Sequence, residues 1–301
     1  MADGRDFLQQ WLVDLARDGW VTRRADLPEL SKRLVDAQLP GLARRLDALA
    51  VEAPEPELLA ERLGELHLLL AAASRLDELE APLRADVLGL LGVSTRKQTV
   101  IESQPHVADR WWGLGSVLEE EGELSVRRTW LFGQRTGRAA LLVSFAPVGR
   151  ALPIEWPSGA AREARIAFYP SASPQRAVVV PDEESPPEPS RDGEEALSTW
   201  LLDLELAWAK RAEALERQPW LRRPMFGIRG LRLAEGEGAS WLVDASGRGL
   251  RLADQDVALA LAALSGGHPF GVWGEMDAGE LRPFAAWAGG GLRCLLSEAS
   301  R

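Results

Sequence analysis

The chain has 301 residues, of which 46% are hydrophobic and 27% are charged, and its formal net charge at pH 7 is −10. This composition is typical of an ordinary globular protein with room for more than one domain. The single cysteine, Cys294, excludes a disulfide framework and a cysteine-rich zinc site. No apolar run approaches the length of a membrane span, so we expect a cytoplasmic protein without a membrane segment.

Residues 1–110 are predicted to form a helical bundle, because their apolar residues recur at helical spacing. Gly19 marks the end of the first helix, and Asp26 is predicted to cap the next one, with Glu29 closing a capping box. Short connections between the helices favour antiparallel neighbours. The apolar stripes consist of Phe7, Leu8, Trp11, Leu12, Leu15, Leu30, Leu34, Val35, Leu42, Leu46, Leu49, Leu59, Leu63, Leu66, Leu70, Leu83, Val87 and Leu91.

Residues 111–180 are predicted to form an antiparallel β unit of about four to five strands, since the apolar period changes at Trp111. A turn at Gln134–Gly137 joins a first strand to a return strand at Ala139–Phe145. We therefore expect a β-hairpin with an aromatic core face and an exposed cationic face. The first face carries Val126, Arg128, Trp130 and Phe132, and the second carries Arg127, Thr129 and Leu131.

Residues 181–195 contain four prolines and seven acidic side chains, which predicts an extended, solvated linker. Residues 196–301 then predict a C-terminal α+β domain, with a long amphipathic helix from Leu197 to Leu215 and a second helix capped by Asp254. The predicted fold class of the whole chain is α+β. The strands expected in this domain are Phe226–Leu233, Ser240–Asp244, Gly249–Leu252, Phe270–Trp273 and Leu292–Leu296.

The residue sets that catalysis usually requires are missing from the sequence. His67, His106 and His268 show no metal-ligand spacing, and there is no G-x-S-x-G elbow and no lysine that follows a glycine as in a P-loop. Cys294 lies in an apolar run, where a thiol usually only packs. We expect no catalytic residues, no metal, no cofactor and no enzymatic activity. The alternative, a hydrolase, would need a pocket that gathers His106 or His268 with carboxylates.

The hairpin at 124–147 contains the best candidate binding surface. Residues 111–180 carry eight basic and six acidic side chains, whereas the rest of the chain is acidic. This surface would contact a protein partner or, with base stacking, a nucleic acid. The alternative is that the tryptophans are core anchors and the arginines an ordinary solvated face. The candidate residues are Arg127, Arg128, Arg135, Arg138, Trp111 and Trp112.

Several longer strings resemble one known family. They are VDAQLPGLARRLDALA (35–50), LHLLLAAASRLDEL (66–79), DRWWGLGSVLEEEGELSVRRTWLFGQRTGRAALLVSFA (109–146), FYPSASPQRAVV (168–179) and FGVWGEMDAGELRPFAAWA (270–288). These strings are similar to the region after the zinc finger in bacterial SWIM zinc-finger proteins. The C-x-C…C-x-H zinc module of that family has no counterpart here, because the chain has one cysteine. Three explanations are open: the finger has been lost, it is encoded on a neighbouring polypeptide, or Met1 is not the natural start. Metal binding by this chain is therefore not implied.

The resemblance does imply a genomic setting. Such proteins are commonly encoded beside MoxR-type AAA ATPases and von Willebrand factor A proteins. It therefore implies a non-enzymatic adaptor that works with these two kinds of protein. Nucleic-acid binding through the arginine- and tryptophan-rich hairpin at 124–147 is the alternative function, and it predicts an affinity that falls steeply with salt.

Overall fold

The computed structural model describes residues 2–52, 56–181, 186–236 and 238–295. The chain divides into two compact units. The first unit runs to Arg96 and includes two later segments, 170–172 and 217–220, while the second unit holds the remainder. Helices and strands are both abundant, which confirms the predicted α+β class. None of the helices in the described ranges is long and apolar enough to cross a membrane.

The first unit is built from α-helices, as the apolar spacing predicted. Most residues of the predicted stripes meet in one core, where Leu8, Leu34 and Leu46 have no exposed surface. Phe7 and Val35 were predicted to belong to the stripes but are 43% and 54% exposed. Burial of this leucine-rich interior is the main source of the unit's stability. Its helices are α1 (Ala2–Asp18), α2 (Trp20–Arg23), α3 (Leu27–Asp36), α4 (Pro40–Glu52), α5 (Pro56–Ser74) and α6 (Ala81–Leu91).

The start of α3 differs from the prediction. Asp26 makes no side-chain hydrogen bond to the helix terminus, so the predicted capping box with Glu29 is wrong. The carboxylate of Asp26 instead accepts a hydrogen bond from Arg23 at 3.3 Å, and Glu29 accepts one from Arg33 at 3.1 Å. Nearby guanidinium groups thus bind the two carboxylates that the capping box would have used.

Helices α4 and α6 come into backbone contact at Gly41. A Cβ atom at this position would lie 2.0 Å from the carbonyl oxygen of Leu90 and 2.7 Å from the carbonyl carbon of Leu91. Real side chains do not approach backbone atoms this closely, so the contact requires glycine. The Pro40-Gly41 pair therefore begins α4 and also lets the two helices meet.

Two segments from later in the chain complete the helical unit. Trp220 is buried in its leucine core and donates a hydrogen bond from Nε1 to the carbonyl oxygen of Glu65 at 3.0 Å. The backbone N–H of Ala172 donates to the carboxylate of Asp86, on α6, at 2.8 Å. Burial raises the pKa of Asp86, although this hydrogen bond acts in the opposite direction. The bundle therefore includes residues far beyond its six helices.

The second unit begins with α7 (Lys97–Ser103) and a closed β-barrel. Strand β1 pairs with both β2 and β4, β3 runs parallel to β5, and β5 pairs with β4. The strand order is therefore β1-β2-β3-β5-β4 and back to β1. The strands are β1 (His106–Glu121), β2 (Leu124–Gly133), β3 (Ala139–Pro147), β4 (Ala160–Phe168) and β5 (Arg176–Val179).

Barrel closure depends on the length of β1 and on a bulge within it. Its first half pairs with β4 and its second half pairs with β2, and the register shifts between Gly113 and Gly115. A Cβ atom on Gly113 would lie 2.4 Å from the carbonyl oxygen of Pro157, and one on Gly115 would lie 2.8 Å from the ring of Phe284. The bulge thus bends the strand where its neighbours pack most closely.

A second barrel repeats this topology. Strand β7 pairs with β8 and β10, β9 runs parallel to β11, and α10 lies between β9 and β10 along the chain. Both barrels therefore have the strand order of the OB-fold, and the second also has a helix between its third and fourth strands. Its elements are β7 (Met225–Gly236), β8 (Ala239–Val243), β9 (Gly249–Leu252), α10 (Ala258–Ser265), β10 (Phe270–Asp277), β11 (Glu280–Ala288) and β12 (Gly291–Cys294).

The two barrels also share a sequence pattern at their β2–β3 and β8–β9 hairpins. The stretch TWLFGQRTGRAALL (129–142) aligns with SWLVDASGRGLRL (240–252) when one residue is omitted from the first. In both turns the shared glycine has a positive φ, 64° at Gly137 and 82° at Gly247. The equivalent pairs are Trp130 and Trp241, Leu131 and Leu242, Gly137 and Gly247, Arg138 and Arg248, and Leu142 and Leu252.

The barrels pack against each other through their outer faces. Trp130 and Trp112 of the first barrel share a core with Trp273 and Phe284 of the second, and all four side chains are buried. Arg282 on β11 donates to the carboxylate of Glu119 on β1 at 2.7 Å. The predicted β unit and the C-terminal region are separated in sequence by the acidic stretch, but they belong to the same compact unit.

Three predicted segments differ from the structure. Within the linker at 181–195, β6 (Glu188–Pro189) pairs with β4, while residues 182–185 lie outside the described part of the chain. The long helix is two helices, α8 (Glu195–Ser198) and α9 (Leu204–Arg217), because Leu202 hydrogen-bonds to the backbone of β7. Strand β11 was not predicted. The last predicted strand ended at Leu296, which also lies outside the described residues.

Candidate binding surface of the first barrel

A buried carboxylate holds the β2–β3 turn. Asp109 has no exposed surface, and its two carboxylate oxygens accept backbone N–H bonds from Arg135 at 3.0 Å and from Thr136 at 2.8 Å. The hydroxyl of Thr136 donates a further bond to Asp109 at 2.6 Å. These bonds satisfy a charge that would be costly to bury alone. Asp109 therefore fixes the position from which Arg135 and Arg138 extend.

Trp111 and Trp112 are fully buried, so the prediction that they form an exposed stacking platform is wrong. Trp111 points into the barrel and donates from Nε1 to the carbonyl oxygen of Ala164 at 3.2 Å. Trp112 points outward into the core between the barrels and donates to the side-chain oxygen of Gln134 at 3.1 Å. Both rings act as large core anchors, which was the alternative interpretation.

The hairpin does not have one exposed cationic face, and this prediction is also wrong. Thr129 and Leu131 alternate with the outward-facing residues of β2, but they are buried because that side of the strand is the barrel interior. Arg127 donates to the hydroxyl of Ser116 at 3.2 Å. Arg128 lies on the other face of β2 and is partly buried. The sheet closes into a barrel, so both of its faces are largely covered.

Carboxylates neutralise two of the four candidate arginines. Arg128 pairs with Glu119 at 2.6 Å and also with Glu121. Arg135 makes two hydrogen bonds to Glu163, at 3.0 and 2.6 Å, and this partner raises its pKa. Ion pairs of this kind contribute little to stability at an exposed surface. They do remove the excess positive charge that a nucleic acid would require.

Arg138 is in a different environment from the other candidates. Its guanidinium carbon lies 3.9 Å from the ring centroid of Phe168, which closes one end of the barrel interior. No carboxylate in the described ranges pairs with it. Desolvation by the surrounding protein lowers the pKa of Arg138. Arg138 is therefore a half-buried cation that stacks on a ring and has no carboxylate partner among the described residues.

An exposed apolar strip at the end of the same hairpin was not predicted from the sequence. Leu124 and Phe145 are 44% and 56% exposed, and Pro147, directly opposite Leu124, is also exposed. The register places all three on the outer face of β2 and β3, next to buried Val126. In OB-folds, the outer face of the second and third strands is a frequent ligand-binding face. The sequence did contain a signal for this strip, because the alternation of apolar residues continues along β2 and β3 to the solvent-exposed end of the hairpin.

The residues considered for catalysis are dispersed. His67, His106 and His268 are all exposed, and the ring of His106 contacts the backbone oxygen of Ile101 at 2.7 Å. The surface of Cys294 is open to solvent, but protein around its sulfur raises the pKa of the thiol to about 11. Within the described residues, no three His, Cys, Asp or Glu side chains are grouped so that they could hold a metal ion.

The family model of the SWIM-associated four-helix bundle domain matches residues 1–91. This range covers the six helices of the first unit and ends with α6. Comparison with curated proteins returned no match, and comparison with solved structures returned none either. The resemblance to the region that follows the zinc finger in SWIM proteins is therefore confirmed for the N-terminal helical unit, residues 1–91.

Proposed function

We propose that this protein is a non-enzymatic adaptor of the bacterial cytoplasm that binds a MoxR-type AAA ATPase, a von Willebrand factor A protein, or both. The match to the SWIM-associated bundle supports the family setting from which these partners are inferred. The two packed barrels support a role as a scaffold, since their shared core is large and aromatic. The OB strand order supplies an outer face, formed by the second and third strands, on which other proteins of this fold bind their ligands.

The observation that carries this proposal is the exposed strip of Leu124, Phe145 and Pro147 on the outer face of the first barrel. Exposed apolar side chains that are contiguous on one surface mark interaction sites. A large exposed aromatic such as Phe145 is suited to be the central anchor of a protein interface. The rigid hairpin beneath it keeps the entropic cost of binding low.

The proposal is tested by mixing the purified protein with a MoxR-type AAA ATPase and a von Willebrand factor A protein of the same organism. Size-exclusion chromatography detects a complex, and calorimetry measures its affinity. We expect Phe145→Glu to weaken binding by about tenfold or more, since a central aromatic anchor typically contributes this much. The matched control is Leu259→Glu, because Leu259 is 80% exposed and lies on α10, away from the strip. Failure of both partners to bind, or an equal loss in the control, would contradict the proposal.

The second candidate function is binding of single-stranded nucleic acid, and the structure favours the second barrel for it. Trp241 is the equivalent of Trp130 but remains partly exposed, and it lies directly opposite Arg251 on the outer face of β8 and β9. An exposed ring beside a guanidinium can stack with a base. Arg251 also pairs with Glu280 at 2.7 Å, which weakens this candidate. Binding of oligothymidylate at low salt that is lost in Trp241→Ala would support it.

A further inference from the structure

Helix α10 of the second barrel carries apolar side chains on its exposed face as well as on its buried face. Its sequence is ALALAALS, so no charged side chain lies between Ala258 and Ser265. Leu261 has no exposed surface and packs in the core of the barrel. A surface helix ordinarily has a polar outer face, and a helix that is apolar all round is normally buried. The outer face of α10 therefore has the composition of a buried surface, although no described residue covers it.

The outer face of α10 consists of four exposed side chains in two neighbouring rows. Leu259 lies one turn before Ala263 in the first row. Ala260 lies one turn before Leu264 in the second row. Leu259 is 80% exposed, and among the large apolar side chains of the described residues Val21 alone is as exposed. Each row thus contains one large and one small side chain, and their order is reversed between the rows.

This pattern of side-chain sizes is complementary to its own reverse. When a second copy of α10 lies antiparallel to the first, Leu259 of each copy meets Ala263 of the other. The large side chain then fills the groove that the small one leaves, which is the basis of close helix packing. Two identical helices in antiparallel contact are related by a two-fold axis, which is the commonest symmetry of homo-oligomers. The outer face of α10 therefore fits a second α10.

The charges at the two ends of α10 favour the same arrangement. Asp254 and Asp256 precede the helix, and the side chain of Asp254 accepts a hydrogen bond from the backbone N–H of Asp256. At the other end, exposed Arg232 on β7 donates to the carbonyl oxygen of Gly267. An antiparallel pair places the acidic end of each helix beside the basic end of the other, and it also aligns the helix dipoles favourably. A parallel pair would bring like charges together.

We propose that α10 is a self-association surface, on which a second copy of this chain docks through its own α10 in antiparallel orientation. Leu259 and Ala263 lie at the centre of the contact, and Asp256 of each copy pairs with Arg232 of the other. One short helix offers less than the area of about 800 Å² per partner that stable complexes bury, so we expect a weak dimer with a dissociation constant of about 10 μM. The strip proposed for adaptor binding lies on the first barrel and takes no part in this contact.

Sedimentation velocity of the full chain, over concentrations from below to well above the micromolar range, measures the dimer. Leu259→Glu brings two like charges to the two-fold contact, so we expect it to weaken the dimer by about tenfold or more. The fold should tolerate this change, because the side chain is exposed and lies in the first turn of α10, where an acidic group is favourable. Phe145→Glu is the matched control, since it places the same charge on the exposed strip of the first barrel and should leave the dimer unchanged.

A charge exchange tests the antiparallel orientation. Asp256→Arg and Arg232→Asp each turn two exposed ion pairs into repulsive pairs, so each should weaken the dimer by about fivefold. The double variant restores both pairs with their signs exchanged and should recover the affinity of wild type. Recovery requires a contact between two copies, because in one chain these side chains lie at opposite ends of a helix about 12 Å long.

Three results would overturn the inference. The first is a wild-type protein that stays monomeric at the highest concentration. The second is a dimer that Leu259→Glu leaves intact or that Phe145→Glu weakens equally, since either would place the contact elsewhere. The third is a double charge variant that associates no better than the single variants, which would exclude the antiparallel pair. Because the two surfaces are separate, a failure of the dimer leaves the adaptor function untouched, and the reverse also holds.

Discussion

The indole Nε1 of Trp130 donates a hydrogen bond of 2.7 Å to Oε1 of Glu275, and this bond joins the two barrels within their shared core. Glu275 is 5% exposed. Arg282 lies directly opposite it on β11, yet this arginine donates to Glu119 of the first barrel. Glu275 is therefore a buried carboxyl group with a neutral donor as its hydrogen-bond partner.

Burial raises the pKa of Glu275 above its ordinary value of 4.5, even though the hydrogen bond from Trp130 acts in the opposite direction. A raised folded-state pKa means that the contribution of Glu275 to stability is complete below about 4.5 and is lost as the pH rises through the raised value. We expect Glu275→Gln to abolish this loss and to be more stable than wild type at neutral pH.

Urea denaturation of Glu275→Gln and wild type across a pH series measures this effect as the difference between their free energies of unfolding. Other titrating groups cancel in the difference. Trp130→Phe removes the donor, so the pKa of Glu275 should rise further and the total loss of stability with increasing pH should be larger. A difference between wild type and Glu275→Gln that stays constant with pH would show that the carboxyl group is not held in the environment described.

Trp220 fills the core of the helical unit, so its truncation should be costly. Trp220→Ala is expected to destabilise this unit by about 3–5 kcal/mol, the usual cost of removing a buried tryptophan. Trp220→Phe retains most of the buried area and loses the bond to Glu65, so its cost should be clearly smaller. Thermal and urea unfolding followed by circular dichroism measure both, and equal stabilities of Trp220→Ala and wild type would contradict the placement.

Two glycines in the helical unit should respond to alanine in opposite ways. Gly41→Ala places a Cβ atom against the carbonyl oxygen of Leu90 and should destabilise the protein by about 1–3 kcal/mol. Gly64 lies in α5 with no atom within 4 Å of an added Cβ. Gly64→Ala should therefore stabilise the helix by about 0.5–1 kcal/mol. Changes of the same sign in the two melting temperatures would refute the close approach of α4 and α6.

The turn between β10 and β11 contains a strained alanine. Ala278 and Gly279 form a two-residue loop with φ values of 37° and 92°, a conformation that favours asparagine followed by glycine. We expect Ala278→Asn to stabilise the protein by about 1 kcal/mol and Ala278→Val to destabilise it, because a β-branched side chain tolerates positive φ poorly. Differential scanning calorimetry checks the order of the three melting temperatures.

Local patterns in the sequence predicted the helices, the β2–β3 hairpin and most strands of the second barrel. They did not predict that β1 pairs with two strands, since the contacts between β1 and β4 join residues far apart in the sequence. Closure of the barrel is what buries Leu131 and Trp111 on the side that was expected to face solvent. The residue pattern of a single strand, apolar on one face and mixed on the other, does not predict that the sheet closes into a barrel.

The candidate site was predicted only in part. Arg138 was a candidate because it lies in the arginine-rich hairpin, but the stacking of Arg176 on Tyr169 arises from the parallel pairing of β3 and β5, which no local pattern encodes. The repeat of the two hairpins was detectable, because Trp130 and Trp241 occupy matching positions. The spacing between the two hairpins is much longer than the period of a solenoid repeat, and the residues that they share are few, so the repeat is easily overlooked.

The position of Trp220 in the sequence determines when the helical unit can complete its folding during synthesis. The helices that end at Leu91 are synthesised well before Trp220, and their leucine core lacks this indole until it has been translated. By that time the whole first barrel has been translated. The bundle is therefore translated before the first barrel but can complete its core only after that barrel has been made. A truncated product that stops before residue 220 leaves apolar surface of the bundle exposed to chaperones and proteases.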